Sequence, residues 1–306
     1  MEKKICLLDT DIGDDIDDAF SLALLLENPQ IDLKAVTTVY KNTKLRAYQA
    51  KELLQTYNSN IDVYYGEGLP LTNYIVPFRT EFVHETGDLI NNHPCQYDES
   101  MNGEIKPDAV DAIIRLAEEY KNELIIIAVG PLTNIATAIK KEPKIVKWVK
   151  ALYTMGGWFT NYVPEWNILC DPVAADIVFK SGIDIYSCGL DVTLQCVLDG
   201  KLLEYLEKEE TEKIKLLNKY FKRWKEYFKF EKSVMHDPLA ATCVTDDVCL
   251  FEKKYVKVNL NNENKGAIEV TEAPSLEHTP INVATKVDKD RFNALVINRL
   301  FNKNNL

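Results

Sequence analysis

Six carboxylates stand within ten residues near the start of the chain, in the run Asp9-Thr10-Asp11-Ile12-Gly13-Asp14-Asp15-Ile16-Asp17-Asp18. No Lys or Arg interrupts them. Two carboxylates about 4 Å apart repel by roughly 4 kcal/mol at an effective dielectric near 20, so a converging set needs a cation, raised pKa values or full solvation. Because carboxylate oxygens are hard ligands, the run favours Ca²⁺ or Mg²⁺ over zinc.

The elements on either side of this run place its carboxylates around one loop. A strand is predicted from Ile5 to Leu8, and apolar residues at helical spacing predict a helix from Asp18 to Leu26. Asp9 and Asp11 point to the same side of an extended strand end, while Asp17 stands where the helix dipole favours a carboxylate. Two sides of the loop can therefore face one ion. The alternative is that these carboxylates solvate a turn and cap the helix.

Two other known acidic motifs, the EF-hand and the phosphatase motif, match the run only in part. An EF-hand counted from Asp9 requires Gly at the position of Asp14 and a bidentate Glu at the position of Phe20. A Mg²⁺-dependent phosphatase of the haloacid dehalogenase type also opens with a strand and Asp-x-Asp, and Asp9 would be its phosphoryl acceptor. That pattern has Thr or Val where this chain has Gly13. The phosphatase remains an alternative.

Alternating strand-like and helix-like segments predict an α/β fold, doubly wound, with a mainly parallel central sheet and helices on both faces. The predicted strands are Ile5 to Leu8, Leu33 to Val39, Ile61 to Tyr65, Leu124 to Val129, Ala151 to Met155 and Ile183 to Ser187. The predicted helices include Asp18 to Leu26, Pro107 to Tyr120, Thr133 to Lys140 and Pro172 to Lys180. We expect a single domain over residues 1–306, with a helical excursion around 201–232. Ligands of such sheets bind at the carboxyl ends of the strands.

Composition excludes several classes of protein. Apolar residues make up 46% of the 306 residues, as in a globular protein, and the net charge of −11 makes nucleic acid an improbable partner. We find no apolar run of the roughly 20 residues that a membrane helix needs, and no signal peptide. The seven cysteines are scattered without a Cys-x-x-Cys pair, which favours a cytoplasmic location.

The N-terminal strand with Asp-Thr-Asp-x-Gly and then Asp-Asp-Ala resembles the signature of the inosine–uridine-preferring nucleoside hydrolase family. Further segments match in the family's order: Thr37-Thr38-Val39-Tyr40-Lys41-Asn42, Gly130-Pro131-Leu132-Thr133-Asn134-Ile135-Ala136, Met155-Gly156-Gly157, Glu165-Trp166-Asn167-Ile168 with Asp171-Pro172, and His236-Asp237-Pro238-Leu239-Ala240. The resemblance spans residue 5 to about residue 245, and the segment 287–292 is like the family's closing segment. It implies a nucleoside hydrolase-like, Rossmann-like fold and hydrolysis of ribonucleosides to ribose and free base.

The resemblance also implies the roles of individual residues. The ion would be Ca²⁺, held by oxygen ligands. Asp9 would not bind the ion itself but would stabilise the neighbouring ligands. The implied ligands are the side chains of Asp11, Asp18 and Asp237 and the main-chain carbonyl of Val129. The implied ribose-binding residues are Asp17, Asn42, Glu165 and Asn167. A ribose offers both donors and acceptors, and these residue types pair with both.

The implied reaction passes through an oxocarbenium-like state, in which water attacks C1′ and the base departs. Asp11 would be the general base for a water bound to Ca²⁺. His236 would protonate or hydrogen-bond the departing base, and its position beside Asp237 supports a place in the site.

Two further side chains have open roles. Met155 lies against the sugar or is a core residue at a strand end. His84 stands in a shortened form of the family's His-Gly-x-x-Gly segment, as a second active-site histidine or a displaced loop residue.

Two aromatic-rich stretches, 158–166 and 220–228, offer rings that stack on a nucleobase, although packing in the core or on a partner subunit explains the second equally well.

The chain departs from the family's pattern at two places. Five residues, rather than the usual three, separate Asp11 from the pair Asp17-Asp18, and Ile12 replaces the frequent Pro. This insertion leaves open an arrangement with Asp15 near the ion. Lys41 stands where the family usually has Gly.

We therefore expect a Ca²⁺-dependent ribonucleoside hydrolase of nucleoside salvage, whose partner is a small-molecule nucleoside. The family is usually oligomeric, so a homodimer or homotetramer is expected. A non-catalytic nucleoside- or sugar-binding protein with a structural Ca²⁺ is a third hypothesis, against which the intact Asp11 and His236 argue.

Overall fold

The computed structural model describes residues 3–76 and 93–302. The strands in these ranges are β1 (Lys4–Thr10), β2 (Ile31–Thr38), β3 (Asp62–Tyr65), β4 (Ile125–Ala128), β5 (Ala151–Met155), β6 (Ile185–Cys188), β7 (Cys249–Val258), β8 (Ile268–Thr271) and β9 (Thr279–Val287). The α-helices are α1 (Asp17–Leu26), α2 (Thr43–Thr56), α3 (Ala109–Glu119), α4 (Thr133–Lys141), α5 (Trp166–Cys170), α6 (Pro172–Phe179), α7 (Leu190–Thr193), α8 (Gly200–Lys208), α9 (Glu212–Phe228), α10 (His236–Thr242) and α11 (Lys289–Phe301). Within these two ranges, none of the helices has the length and apolar character to cross a membrane.

These strands form one sheet in the order β3-β2-β1-β4-β5-β6-β9-β7-β8. All neighbours from β3 to β6 are parallel, and β9 is parallel to β6. This is the strand order of a doubly wound sheet, which confirms the predicted fold class. The carboxyl ends of β1, β4, β5 and β6 consequently meet at one edge of the sheet.

Alternate residues of the central strands belong to two apolar clusters, one on each face. In β1, Cys6 and Leu8 belong to one cluster and Leu7 to the other. Side chains of α1, α2, α9, α10 and α11 belong to the first cluster, and side chains of α3, α4 and α6 to the second. Burial on both faces explains why these strands are continuous apolar runs in the sequence.

The sequence pattern does not predict α2 or the antiparallel end of the sheet, where β7 pairs with β8 and β9. Helix α2 buries Thr43, Arg46 and Gln49 along with its apolar residues, which blurs its periodicity. Most of β7 is half-buried or exposed, so it lacks a continuous apolar run.

Helix α9 accounts for the second aromatic stretch. Tyr220, Phe221, Trp224 and Phe228 are buried in the first apolar cluster. These rings are therefore part of the core. The segment 201–232 contains α8 and α9 and joins this face of the sheet.

Arg46 of α2 holds the loop between β1 and α1. Its guanidinium, fully buried, donates hydrogen bonds to the carbonyls of Ile12 (3.0 Å), Tyr40 (2.8 Å) and Asp11. It also forms an ion pair with Asp14, at 2.7 Å. One side chain thus satisfies three carbonyls and one carboxylate of the site's surroundings.

Lys41 is a second cation beside the same loop. Its Nζ lies 3.9 Å from Asp14 Oδ2, and its backbone is left-handed with φ 55°. Burial acts to raise the pKa of Asp14, but the charges of Arg46 and Lys41 outweigh it and hold that pKa below its usual range. Asp14 therefore remains ionised and anchored to two cations.

We expect Arg46→Ala to lower the free energy of unfolding by about 3 kcal/mol, because it leaves Asp14 and buried carbonyls without their donor. Urea denaturation followed by circular dichroism measures this loss. Arg115→Ala, which removes an exposed ion pair on α3, is the matched control and should change stability by less than about 0.5 kcal/mol. Equal small effects of both substitutions would contradict the anchoring role.

Candidate active site

A cavity of about 340 Å³ opens at the carboxyl edge of the sheet, within the size range of small-molecule sites. Its wall comes from the β1–α1 loop, the ends of β4 and β5, and the helices α5, α7 and α10. The structure brings nine predicted site residues into this wall: Asp11, Asp17, Asp18, Val129, Met155, Glu165, Asn167, His236 and Asp237. Segments more than 200 residues apart in the chain therefore share one cavity.

Three buried carboxylates form the acidic centre of the cavity. One oxygen from each of Asp17, Asp18 and Asp237 lies within 4.8 Å of the other two. Asp17 accepts a hydrogen bond from the backbone N–H of Asp237 (3.0 Å), and Asp18 accepts one from the Thr10 hydroxyl. Burial first, and then the neighbouring carboxylates, raise the pKa of all three well above the usual range.

Asp11 lines the same cavity next to this centre. Burial raises its pKa to about 6, against the opposing charge of Arg46. Its charge in turn raises the pKa of each of the three buried carboxylates. Gly130 permits the close approach of β4 at this point, since a Cβ there would lie 2.8 Å from Asp11 Oδ1.

Asp9 lies behind the cavity and does not line it. Its Oδ1 accepts hydrogen bonds from the Thr37 hydroxyl (2.6 Å) and the Asn134 amide (2.7 Å), and its side chain is fully buried. Burial raises its pKa to about 7. A carboxylate enclosed in this way has no room for a phosphoryl group, so the geometry does not favour the phosphatase hypothesis.

Glu165 and Asn167 form the polar wall opposite. Glu165 caps the N-terminus of α5, and its carboxylate accepts hydrogen bonds from the backbone N–H groups of Gly157 (3.0 Å), Asn167 (2.8 Å) and Ile168 (3.2 Å). The Asn167 amide donates to the Val129 carbonyl at 2.8 Å. A carbonyl oxygen has two lone pairs, so Val129 retains one for a further partner. Met155 lies beside Asn167, which donates to its carbonyl at 3.2 Å.

His236 begins α10, half-buried, on the wall next to Asp237. Its Nδ1 lies 2.7 Å from the hydroxyl of Thr193 in α7. Leu190, Leu194 and Trp166 add apolar surface to the cavity. No sequence motif identifies Leu190, Leu194 or Thr193 as residues of the site. Their position directly after a strand that ends at the same edge is the signal that points to them.

Asp15 also lines the cavity, and its charge raises the pKa of Asp17. Asp15, the alternative ligand suggested by the sequence, therefore lies near the acidic centre but is not one of its three carboxylates. Asn42 does not line the cavity. Its side chain caps α2 by accepting a hydrogen bond from the Leu45 N–H (3.3 Å), so its contact with ribose stays a prediction. His84 lies outside the described residues.

The acidic centre fits a hard divalent cation. Among the described residues, no Lys or Arg lines the cavity to balance its carboxylates. Asp9 Oδ2, directly behind, is buried and has no hydrogen-bond partner in the described ranges. All donors are carboxylate or carbonyl oxygens, the ligands of Ca²⁺ and Mg²⁺ rather than of zinc.

A family model described as "Inosine-uridine preferring nucleoside hydrolase" matches residues 6–294. The chain is 32% identical over 295 residues to "Non-specific ribonucleoside hydrolase RihC" of Escherichia coli (strain SMS-3-5 / SECEC), covering 92% of this chain and 93% of the relative. It is 30% identical over 317 residues to "Inosine-uridine preferring nucleoside hydrolase" of Crithidia fasciculata, covering 98% of each.

Among solved structures, "Plant nucleoside hydrolase - PpNRh1 enzyme" superposes with a TM-score of 0.82 at 29% identity, covering 97% of this chain and 98% of that one. Sequence and structure thus agree over nearly the whole chain. The chain belongs to the inosine-uridine preferring nucleoside hydrolase family, whose members hydrolyse the N-glycosyl bond of ribonucleosides to ribose and base.

Proposed function

We propose that the cavity binds a ribonucleoside through its ribose and that the acidic centre holds Ca²⁺. The observation that carries this proposal is the meeting of the buried carboxylates, His236 and the polar wall around one cavity. The proposed ligands are Asp11, Asp18, Asp237 and the Val129 carbonyl. The proposed ribose-binding residues are Asp17, Asn42, Met155, Glu165 and Asn167. Ca²⁺ is favoured for its tolerance of many oxygen ligands.

A bound divalent cation would make water more acidic and orient it. Asp11 is the proposed general base, because its buried carboxylate lines the cavity next to the acidic centre and can accept a proton there. Its carboxylate accepts a proton from the water that attacks C1′. The buried carboxylates also favour the positive charge that develops on the sugar in the oxocarbenium-like transition state.

His236 is the proposed partner of the departing base. The Thr193 hydroxyl lies 2.7 Å from its Nδ1 and orients the imidazole on the cavity wall, next to the space proposed for the base. The apolar side chains of Leu190, Leu194 and Trp166 lie on the cavity wall, where they exclude water and contact an aromatic base. Donation of a proton or a hydrogen bond by His236 lets the base leave in neutral form.

The cellular setting is also a proposal. All seven cysteines are free thiols, which supports a reducing compartment such as the cytoplasm. Release of ribose and base there suits nucleoside salvage. We also propose that the protein is a homodimer or homotetramer, and the family resemblance alone supports this.

Turnover distinguishes this enzyme from a non-catalytic sugar-binding protein. We expect the purified protein to release reducing sugar from members of a ribonucleoside panel, with Asp11→Asn reducing kcat by about a thousandfold or more and lowering retained calcium. A reducing-sugar assay and elemental analysis measure the two effects. Asp111→Asn, an exposed carboxylate on α3, is the matched control. Unchanged turnover in Asp11→Asn would overturn the assignment of base and ligand.

His236→Ala should slow natural nucleosides by about a hundredfold or more but p-nitrophenyl riboside far less, because that leaving group needs little protonation. Steady-state kinetics on both substrate classes test this difference. His278→Ala, which replaces a histidine in the loop between β8 and β9, should leave both rates unchanged. Equal losses on both substrates in His236→Ala would rule out its role toward the leaving base.

Chelation should make stability depend strongly on pH. The folded-state pKa values of Asp11 (about 6) and Asp9 (about 7) exceed 3.8, so the folded protein binds more protons than the unfolded chain between these limits. The free energy of unfolding of chelated protein should therefore fall as pH rises from about 4 to 7. Saturating Ca²⁺ should flatten this slope by favouring the charged carboxylates. Urea titrations across this range test both expectations, and identical slopes would contradict the metal site.

A further inference from the structure

Three cysteine side chains converge behind the active site from separate parts of the fold. Cys188 ends β6, Cys243 follows the last residue of α10, and Cys249 begins β7. Their sulfur atoms all lie within 4.8 Å of one another, and those of Cys188 and Cys243 are 3.8 Å apart.

The spacing of the sulfur atoms suits a shared metal ion. Two thiolates bound tetrahedrally at a zinc–sulfur distance of about 2.3 Å lie roughly 3.8 Å apart. The pair Cys188 and Cys243 already has this separation. The third sulfur needs only a small side-chain movement, and Cys249 is half-buried, which gives an ion access from solvent.

The chemistry of the group selects the ion. Among the described residues, this group contains sulfur ligands alone, whereas the acidic centre contains oxygen ligands alone. Soft thiolates prefer zinc and similar ions and bind Ca²⁺ poorly. The buried thiol of Cys196, which lies outside the group, interacts electrostatically with Cys243 and Cys249.

We propose that Cys188, Cys243 and Cys249 form a second metal site, which binds one soft, thiophilic ion such as Zn²⁺ and is separate from the acidic centre.

Protonation of the thiols is compatible with this site. Hydrogen bonds from Cys188 and Cys243 lower the pKa of the Cys249 thiol below its ordinary value. Hydrogen bonds with Cys249, and then burial, raise the pKa of the other two thiols, and a bound ion would displace their protons. Affinity should therefore increase as pH rises.

The ion would connect elements that build the active site. Helix α10 begins with His236 and Asp237 in the cavity and ends one residue before Cys243, a length of about 10 Å at 1.5 Å per residue. Cys188 immediately precedes the segment that leads to Thr193, the partner of His236. A common ion would tie both segments together below the cavity.

The test uses the full-length, reduced protein under anaerobic conditions with saturating Ca²⁺ to occupy the oxygen ligands. Titration with Cd²⁺, a spectroscopic substitute for Zn²⁺, should produce a sulfur-to-cadmium charge-transfer band that saturates at one ion per chain. Zn²⁺ should displace the Cd²⁺ and raise the thermal unfolding midpoint. Cys249→Ser should weaken Cd²⁺ binding by about tenfold or more.

Cys6→Ala is the matched control, because it removes a buried thiol outside the group. It should leave the band and its stoichiometry unchanged. Cys249 is half-buried, so its replacement by Ser should preserve the fold, which circular dichroism checks directly. Absence of a charge-transfer band in the wild-type protein, or an equal band in folded Cys249→Ser, would overturn the proposal. Neither result bears on nucleoside hydrolysis, which is measured separately.

Discussion

Mutual repulsion among buried carboxylates is the constraint on which the active site depends. Asp17, Asp18 and Asp237 come within 4.8 Å of one another with little access to water, and Asp11 adds its charge from the same cavity. No Lys or Arg lines this cavity among the described residues. The protein keeps its cations behind the β1–α1 loop, on Asp14, so the acidic centre itself stays free to attract a metal ion and a developing positive charge on a sugar.

The parallel sheet makes this concentration of charge possible. Strands β1, β4, β5 and β6 end at one edge, and the segment after each contributes to the cavity. Extensive apolar packing on both faces fixes the strands and thereby the distances between side chains at their ends. Helix α10 completes the site from far along the chain, with its N-terminal residues in the cavity and its body packed against α1.

The central sheet was predictable because buried parallel strands are continuous apolar runs, and most proposed site residues were predictable because they stand in motifs after those strands. The antiparallel strands β7 to β9 were not, since their exposed faces dilute the apolar pattern. Contacts between side chains from distant segments could not be predicted from sequence patterns either. The hydroxyl of Thr193 meets His236, and three scattered cysteines meet behind it, only because α7, α10 and β7 pack together. Asn42 lies in its predicted motif yet caps a helix.

The anchoring of the β1–α1 loop has an evolutionary consequence. Lys41 adopts a left-handed backbone, a conformation that favours Gly, and its Nζ lies near Asp14 of the β1–α1 loop. Arg46 meets the same carboxylate and the loop's carbonyls. A lineage that shortened the loop would leave two buried cations without their anion, whereas one that lost the cations would leave the longer loop without support. We therefore expect the length of the β1–α1 loop and the residues at positions 41 and 46 to co-vary among homologous sequences.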